Sequence, residues 1–219
     1  MQPLRAVLFD MGDTLFERRG GSLAIVEAAR DLGVRVAETA AATLWSDIQA
    51  RARTPEELAK GRDLSPEAHR SAWTDLYRPA DALAKGLAEA LYEREVGPDH
   101  WSPFPDATPT LEALAEREVP VGVVSDAGFD VRPFFQRHGL SGLVESFVLS
   151  YEHGVAKPAQ VLFETACAEL GVAPEATVMV GDNPLTDGGS VGAGLACLLL
   201  PPTRPGRPRG LGRVLALLD

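Results

Sequence analysis

The chain has 219 residues, of which 45% are hydrophobic and 24% are charged, and its formal net charge is -10. A chain of this length can bury a full core, and its negative charge argues against nucleic acid or an anionic membrane surface as the main partner. The apolar runs are too short to cross a bilayer, and the two cysteines lie inside apolar stretches. We therefore expect a cytoplasmic protein with reduced thiols and no membrane partner.

The first apolar run, residues 5–9, is continuous and is followed by turn residues. This pattern is typical of a strand that is buried on both faces of a parallel sheet. Asp10 then lies at the carboxyl end of the strand, where open α/β sheets bind their ligands. A carboxylate at that position can be a nucleophile or a metal ligand, although Asp10 and Asp13 can also simply cap a turn.

A helical pattern begins after the polar link at residues 17–21 and continues to about residue 96. Helices are predicted at 22–32, 36–53, 66–77 and 79–95. No strand pattern interrupts this block, which predicts a small subdomain of four or five helices. The proline-containing segment 101–106 is predicted to be a stiff linker that returns the chain to the sheet.

Helix and strand alternate over the rest of the chain. Strands are predicted at 119–124, 145–149, 177–180 and 195–200, and helices at 108–118, 129–138, 158–170, 186–194 and 211–218. Such alternation with short connections predicts a doubly wound parallel sheet covered by helices. Residues 201–210, rich in proline and arginine, are expected to form an extended strap whose arginines contact solvent.

Polar side chains follow the other predicted core strands. Ser125 and Asp126 end the second one, where a hydroxyl and free backbone N–H groups can hold a phosphoryl oxygen. Asp182 and Asp187 follow the fourth one and offer the oxygen ligands that magnesium prefers. Lys157 precedes a predicted helix start, where its charge favours anionic oxygen and keeps a nearby carboxylate ionised.

This ordered set of motifs resembles the haloacid dehalogenase superfamily, whose members are mostly magnesium-dependent phosphatases of small phosphorylated metabolites. The resemblance covers nearly the whole chain. It implies a Rossmann-like α/β core, residues 1–16 and 101–219, with an inserted helical cap at residues 17–100. Asp10 would be the nucleophile that forms an aspartyl-phosphate, and the phosphoryl group would be bound at Ser125, Asp126 and Lys157.

The resemblance also implies a metal site. Asp10, the backbone carbonyl of Gly12 and Asp182 would bind Mg²⁺, and Asp187 would support the metal site and Lys157. The expected assembly is a monomer or a homodimer. The natural substrate cannot be read from one sequence.

Position 12 departs from the pattern of the superfamily. Its phosphatases usually carry a second aspartate two residues after the nucleophile, which protonates the leaving alcohol and later activates water, whereas this chain has Gly12. Loss of a general acid/base typically costs roughly 10²- to 10⁴-fold in rate. We therefore expect a preference for leaving groups of low pKa, such as acyl phosphates, with Asp13 or Asp126 as candidate replacements for the acid.

Three alternatives stay open at this stage. Haloacid dehalogenases also lack the second aspartate, but the resemblance implies that they need no magnesium. Phosphonate hydrolysis would need a cap lysine that forms an imine, for which Lys60 and Lys85 are the candidates. A pseudoenzyme that only binds a metal and a phosphorylated ligand would keep Asp10 and Asp182.

Other residues of the helical block are predicted to be structural. Trp73 and Tyr77 are four residues apart and are expected to pack in the core of the cap. His69, like the other histidines, is expected at the surface or as a capping residue. Four arginines are able to reach a substrate but are each expected to be solvated, namely Arg18, Arg19, Arg62 and Arg78.

Overall fold

The computed structural model describes residues 3–18 and 20–218. The strands are β1 (Ala6–Phe9), β2 (Phe16–Arg18), β3 (Trp101–Pro103), β4 (Val121–Ser125), β5 (Ser146–Leu149), β6 (Thr177–Gly181) and β7 (Ala196–Leu199). Five of them form a parallel sheet in the order β5-β4-β1-β6-β7. The predicted fold class, a doubly wound parallel sheet flanked by helices, is therefore confirmed.

The helices cover the faces of the sheet and form the segment that is inserted between β2 and β3. They are α1 (Ser22–Asp31), α2 (Glu38–Ala52), α3 (Pro55–Leu58), α4 (Pro66–Tyr77), α5 (Leu87–Val96), α6 (Ala107–Glu116), α7 (Arg132–Arg137), α8 (Ser150–His153) and α9 (Gln160–Leu170). None of the helices in the described residues is long and apolar enough to cross a membrane. The short helix α8 was not predicted from the sequence. The segments predicted as helices at 186–194 and 211–218 form 3-10 turns, over residues 187–193 and 211–217.

Strand β1 occupies the centre of the sheet, and its four residues are fully buried. Val7 and Phe9 point to one face, where they pack with residues of α6 and α7, whereas Leu8 points to the other face and packs with Phe163 of α9. The two directions follow from the alternation of side chains along a strand. Burial on both faces is the reason why this strand is apolar throughout.

Residues 20–100, which we call the helical insertion, carry α1 to α5 and enclose their own apolar cluster. Trp73 and Tyr77 belong to this cluster, as predicted. The predicted single helix over 79–95 is wrong. Residues 78–82 form a 3-10 turn, and Gly86 adopts a left-handed φ of 85° before α5 begins.

The insertion is joined to the sheet by paired strands. Strands β2 and β3 are antiparallel, with Phe16 opposite Pro103 and Arg18 opposite Trp101. The sequence analysis assigned these residues to a polar link and a stiff linker, and that assignment is wrong. Each strand has only three residues, which is too short for a period of two to be recognised.

Candidate active site

A cavity of about 580 Å³ lies between the carboxyl edge of the sheet and the helical insertion. This volume falls within the range of about 300 to 1,000 Å³ that is usual for small-molecule sites. The sheet side contributes Asp10, Ser125, Asp126, Lys157, Asp182 and Asp187, and the insertion contributes Arg53, Arg62, Asp63, His69 and Trp73. The predicted site residues therefore meet at one edge of the sheet.

A buried ammonium group joins two carboxylates at the floor of this cavity. Lys157 Nζ donates hydrogen bonds to Asp10 Oδ1 at 2.7 Å and to Asp187 Oδ1 at 2.5 Å. Ser125 Oγ donates to the same Asp10 oxygen at 3.3 Å. Asp10 Oδ2 makes no hydrogen bond to a side chain or backbone group among the described residues, so this oxygen stays available for a ligand or for reaction.

The pKa values of Asp10 and Lys157 are each subject to opposing effects. The pKa of the Asp10 carboxyl is raised to about 7, because the effects of burial and of the charge of Asp187 outweigh the lowering by Lys157. Burial acts to lower the pKa of Lys157, but the charges of Asp10 and Asp187 raise it above its ordinary value. Lys157 is therefore a permanent cation, and the protonation of Asp10 depends on further positive charge in the site.

Asp187 shapes the loop that follows β6. Its Oδ2 accepts hydrogen bonds from the backbone N–H groups of Asp182 and Asn183, both at 3.0 Å. This approach requires Gly181, because a Cβ at that position would lie 2.2 Å from Asp187 Oδ2. Position 181 thus needs glycine for steric reasons, whereas Asp182 contributes a carboxylate to the site.

The same residues fit a hard divalent cation. Carboxylate oxygens of Asp10, Asp182 and Asp187 lie within 4.8 Å of one another. The carbonyl oxygen of Gly12 accepts no hydrogen bond from the described residues. Two of these carboxylates, Asp10 and Asp187, pair with the ammonium of Lys157, and Asp182 Oδ2 lies 3.9 Å from Arg209 Nη2. An all-oxygen set with excess negative charge is the chemistry that Mg²⁺ and Ca²⁺ select.

The two candidate replacements for the missing acid also line the cavity. Asp126 Oδ1 accepts a hydrogen bond from the backbone N–H of Lys157 at 2.8 Å, and burial raises the pKa of its carboxyl. Asp13 is exposed and has a left-handed φ of 55°. Asp126 therefore already has a structural partner, whereas the carboxylate of Asp13 has no hydrogen-bond partner among the described residues.

Arg209, which was predicted to contact solvent, is 5% exposed and packs against the loop that follows β1. Its guanidinium donates to the carbonyl of Asp13 at 2.5 Å and to the carbonyl of Pro201. The carboxylate of Asp106 accepts the backbone N–H groups of residues 209–211 at 2.7 to 2.9 Å. The prediction is wrong because the partners lie far away in sequence, and composition alone cannot reveal them.

His69 was predicted at the surface or as a capping residue, but it is 2% exposed in the contact between the insertion and the sheet. Its Nδ1 lies 3.2 Å from Tyr92 Oη, and its ring meets the edge of Phe129 at 5.0 Å between centroids. Burial and the charge of Arg62 lower its pKa to about 3, so the ring is neutral. Gly128 permits this contact, because a Cβ there would lie 2.4 Å from that of His69.

A hydroxyl forms the second contact between the insertion and the loop after β4. Ser150 Oγ accepts the backbone N–H of Ala127 at 2.9 Å and lies 2.5 Å from the carbonyl oxygen of Asp63. The carbonyl oxygen of Ala127 is a second acceptor, at 3.2 Å. The loop that carries Ser125 and Asp126 is therefore linked directly to the insertion.

The arginines near the cavity differ in their surroundings. Arg18 pairs with a buried glutamate and lies against three tryptophan rings, and Arg78 is exposed beside Asp75. Arg62 lines the cavity, while Arg19 lies outside the described residues. Arg53, which the sequence analysis did not single out, also lines the cavity. No sequence signal distinguishes it from its neighbours in an arginine-rich helix end.

Comparisons with known proteins find a matching family and several relatives. The family described as haloacid dehalogenase-like hydrolase matches residues 4–188. A ribulose-1,5-bisphosphate 5-phosphatase of Halopiger xanaduensis is 31% identical over 211 residues, which cover 90% of this chain and 85% of that protein. A glyceraldehyde 3-phosphate phosphatase of Methanopyrus kandleri is 29% identical over 187 residues, which cover 82% and 76% of the two proteins.

Solved structures share the whole fold. The magnesium-bound putative HAD-hydrolase YfnB of Bacillus subtilis superimposes with a TM-score of 0.71 over 100% of both chains, at 18% identity. Dehalogenase structures superimpose as well, at 22% and 24% identity, so the fold alone does not separate the two chemistries. The family match and the phosphatase relatives lead to one conclusion: the chain belongs to the haloacid dehalogenase-like hydrolases.

Proposed function

We propose that this protein hydrolyses a small phosphorylated metabolite through an aspartyl-phosphate at Asp10, with Mg²⁺ as its cofactor. The observation that carries the proposal is the placement of the Asp10 carboxylate, which lies between Lys157 Nζ and Ser125 Oγ on the floor of a cavity of metabolite size. The names of the two relatives, both phosphatases of small sugar phosphates, support the same reaction class.

The reaction has two steps. In the first, an oxygen of Asp10 attacks the phosphorus atom, the bond to the leaving oxygen breaks, and that oxygen leaves as an anion or takes up a proton from water. In the second, water attacks the phosphorus of the aspartyl-phosphate, which releases inorganic phosphate and restores the carboxylate. Ser125 and Lys157 donate hydrogen bonds to the phosphoryl oxygens in both steps, where negative charge is concentrated.

The residues that would hold the cation are Asp10, Asp182 and the carbonyl of Gly12, while Asp187 orients the loop that carries Asp182. When bound, Mg²⁺ neutralises negative charge on the carboxylates and on the phosphoryl group. A cation held there would lower the pKa of the Asp10 carboxyl from its raised value of about 7. The nucleophile is then ionised at neutral pH.

The absence of an acid at position 12 limits the range of substrates. A Cβ added to Gly12 would make only ordinary van der Waals contact with the ring of Trp101, at 3.8 and 3.9 Å, so there is room at this position for the side chain that the chain lacks. Asp126 is bound to the backbone of Lys157. We therefore propose faster turnover of acyl and aryl phosphates than of alkyl phosphates, because the former leave without strong protonation.

A second candidate function is a non-catalytic one, and Gly12 is the observation that favours it. The same residues would then bind a metal and a phosphorylated ligand without turnover. An imine-forming phosphonate hydrolase has less support, since neither Lys60 nor Lys85 lines the cavity, and Lys60 pairs with Glu57 at 2.8 Å. Carbon–halogen hydrolysis has less support as well, because by the resemblance it needs no Mg²⁺, whereas Asp10, Asp182 and Asp187 together form a possible metal site.

The proposal is tested by the release of phosphate from p-nitrophenyl phosphate and acetyl phosphate, with Mg²⁺ and with a chelator. We expect activity only with Mg²⁺, and a loss of at least about 10³-fold in Asp10→Asn. Asp47→Asn, which changes an exposed aspartate of α2, is the matched control and should keep full activity. Full activity of Asp10→Asn would refute the mechanism, and an inactive native chain that still binds Mg²⁺ would favour the non-catalytic function.

A further inference from the structure

The cavity has few positive groups for its many acids. Among its lining residues the cations are Lys157, Arg53 and Arg62. Lys157 already pairs with Asp10 and Asp187 on the sheet side. The two arginines lie on the helical insertion, which places them on the opposite wall.

Arg62 is held in one orientation by its neighbours. Its Nη1 donates to the carbonyl oxygen of Ala52 at 2.8 Å, and its guanidinium lies 5.0 Å from the ring centre of Trp73. Its Nε is 3.7 Å from Asp63 Oδ2, which is longer than a hydrogen bond. Its Nη2 has no hydrogen-bond partner among the described residues. A guanidinium that is fixed in this way keeps donors available at little entropic cost.

The bond to Ala52 also brings the two arginines together, because Arg53 is the next residue and ends helix α2. Arg53 is exposed, and its side chain makes no hydrogen bond or ion pair with any described residue. Several other arginines of the insertion are paired with acids, as Arg51 is with Glu57 and Asp75. In a chain of net charge -10, an arginine that lines a cavity without an acidic partner is a site for an anion from outside.

We propose that Arg53 and Arg62 together bind a second anionic group of the substrate. The substrate class is then a small phosphorylated compound that carries a further carboxylate or phosphate, with its scissile phosphate at Asp10 and its other anion at the insertion wall. Planar guanidinium groups match the oxygens of both anions. This inference rests on the proposed phosphatase function for the identity of the first group, and on the two arginines for the second.

The test measures binding of inert three-carbon phosphonates with saturating Mg²⁺, so that it does not depend on turnover. Propylphosphonate has one anionic group, 3-phosphonopropionate adds a carboxylate, and propane-1,3-diphosphonate adds a second phosphonyl group. Fluorescence of Trp73 and Trp101, both of which line the cavity, reports binding. We expect at least one of the two doubly anionic compounds to bind about 10-fold or more tightly than propylphosphonate, and the stronger one identifies the second anion.

Variants assign the preference to the arginines. Arg53→Gln should reduce the affinity ratio by about 10-fold, and Arg62→Lys, which keeps the charge but loses the planar fork, should reduce it as well. Arg35→Gln, which changes an exposed arginine outside the cavity, should leave the ratio unchanged. A native ratio near one, or a ratio that a folded Arg53→Gln protein retains, would overturn the proposal.

The two proposals fail separately. Absence of phosphate release from p-nitrophenyl phosphate would refute the catalytic function but would leave the phosphonate ratios as a valid measure of the second site. Normal phosphate release together with equal phosphonate affinities would refute the second site alone.

Discussion

The two walls of the cavity hold their charged groups in different ways. On the sheet side, Lys157, Asp10 and Asp187 are 6%, 8% and 1% exposed and are bound to one another. On the insertion side, Arg53 is exposed without a partner, and Arg62 uses only part of its donors. One wall is a closed network, and the other has free hydrogen-bonding capacity.

This difference separates two tasks. A buried charge network has one arrangement of low energy, so it suits a reaction that needs fixed geometry. Free donors on helix ends and turns can accept ligands of several shapes, which is why loops on a rigid scaffold often carry specificity. We infer that the sheet side sets the chemistry and that the insertion side selects the substrate.

The largest expected effect comes from removing the shared cation of the sheet side. Lys157→Met leaves two carboxylates buried without a counter-charge, which should lower the free energy of unfolding by about 3 to 5 kcal/mol. Urea unfolding in a chelator measures this change. Arg53→Gln should alter the same quantity by no more than about 0.5 kcal/mol. Equal losses for the two variants would contradict the distinction between the walls.

A new acid on the sheet side should widen the range of substrates. Gly12→Asp should raise the hydrolysis of glycerol 3-phosphate by about 10²-fold, because an alkoxide leaving group needs a proton. Hydrolysis of p-nitrophenyl phosphate should change much less. Gly12→Asn is the matched control, since it has the same shape without the acid. If both variants gave the same rates, the missing proton donor would not be the limit on alkyl phosphates.

A pH-dependent effect is expected from the insertion side. Burial and the charge of Asp126 raise the pKa of Asp63 to about 6, with Arg62 acting against them. The folded state therefore binds more protons than the unfolded state between pH 4 and 6, so Asp63 reduces stability as the pH rises through this range. Asp63→Asn should be more stable than the native chain by about 2 kcal/mol at pH 7 and by little at pH 4.

Unfolding by urea at a series of pH values tests that expectation. A stability difference that stays constant from pH 4 to 7 would show that Asp63 titrates as it does in the unfolded chain. Asp47→Asn, at an exposed position, controls for the general effect of removing a negative charge.

The smallest expected effect concerns the strap, residues 201–210, which packs against the loop after β1. Asp106→Asn weakens the acceptor for three backbone N–H groups and should lower the free energy of unfolding by about 1 kcal/mol. Its effect on phosphate release should be less than that of any variant of the sheet wall. A loss of activity as large as that of Asp10→Asn would mean that the strap has a direct role in the site.

The fold and the sheet side of the site are readable from the sequence for one physical reason. Asp10, Ser125 and Asp182 each come directly after or at the end of an apolar run, and parallel strands bring their carboxyl ends to one edge. Once the strands are placed, these residues are placed as well. The assignment of roles to them stays a prediction until the variants are measured.

The insertion side is not readable in the same way. The burial of His69 depends on the close approach of Gly128, and the position of Arg62 depends on a carbonyl ten residues away. Such contacts form only when separate helices pack, and no local pattern encodes them. Arg209 shows the same limit at the other end of the chain, because its partners include Asp13, 196 residues away.

The hydroxyl of Ser150 gives the contact between the two walls an unusual property. It has a single hydrogen and two carbonyl acceptors, that of Asp63 in the insertion and that of Ala127 in the loop after β4. If the insertion lifts away, the hydroxyl can turn to Ala127 and no buried donor is left unsatisfied. Separation of the insertion from this loop would therefore cost little at Ser150, because its hydroxyl keeps a carbonyl acceptor on the sheet side.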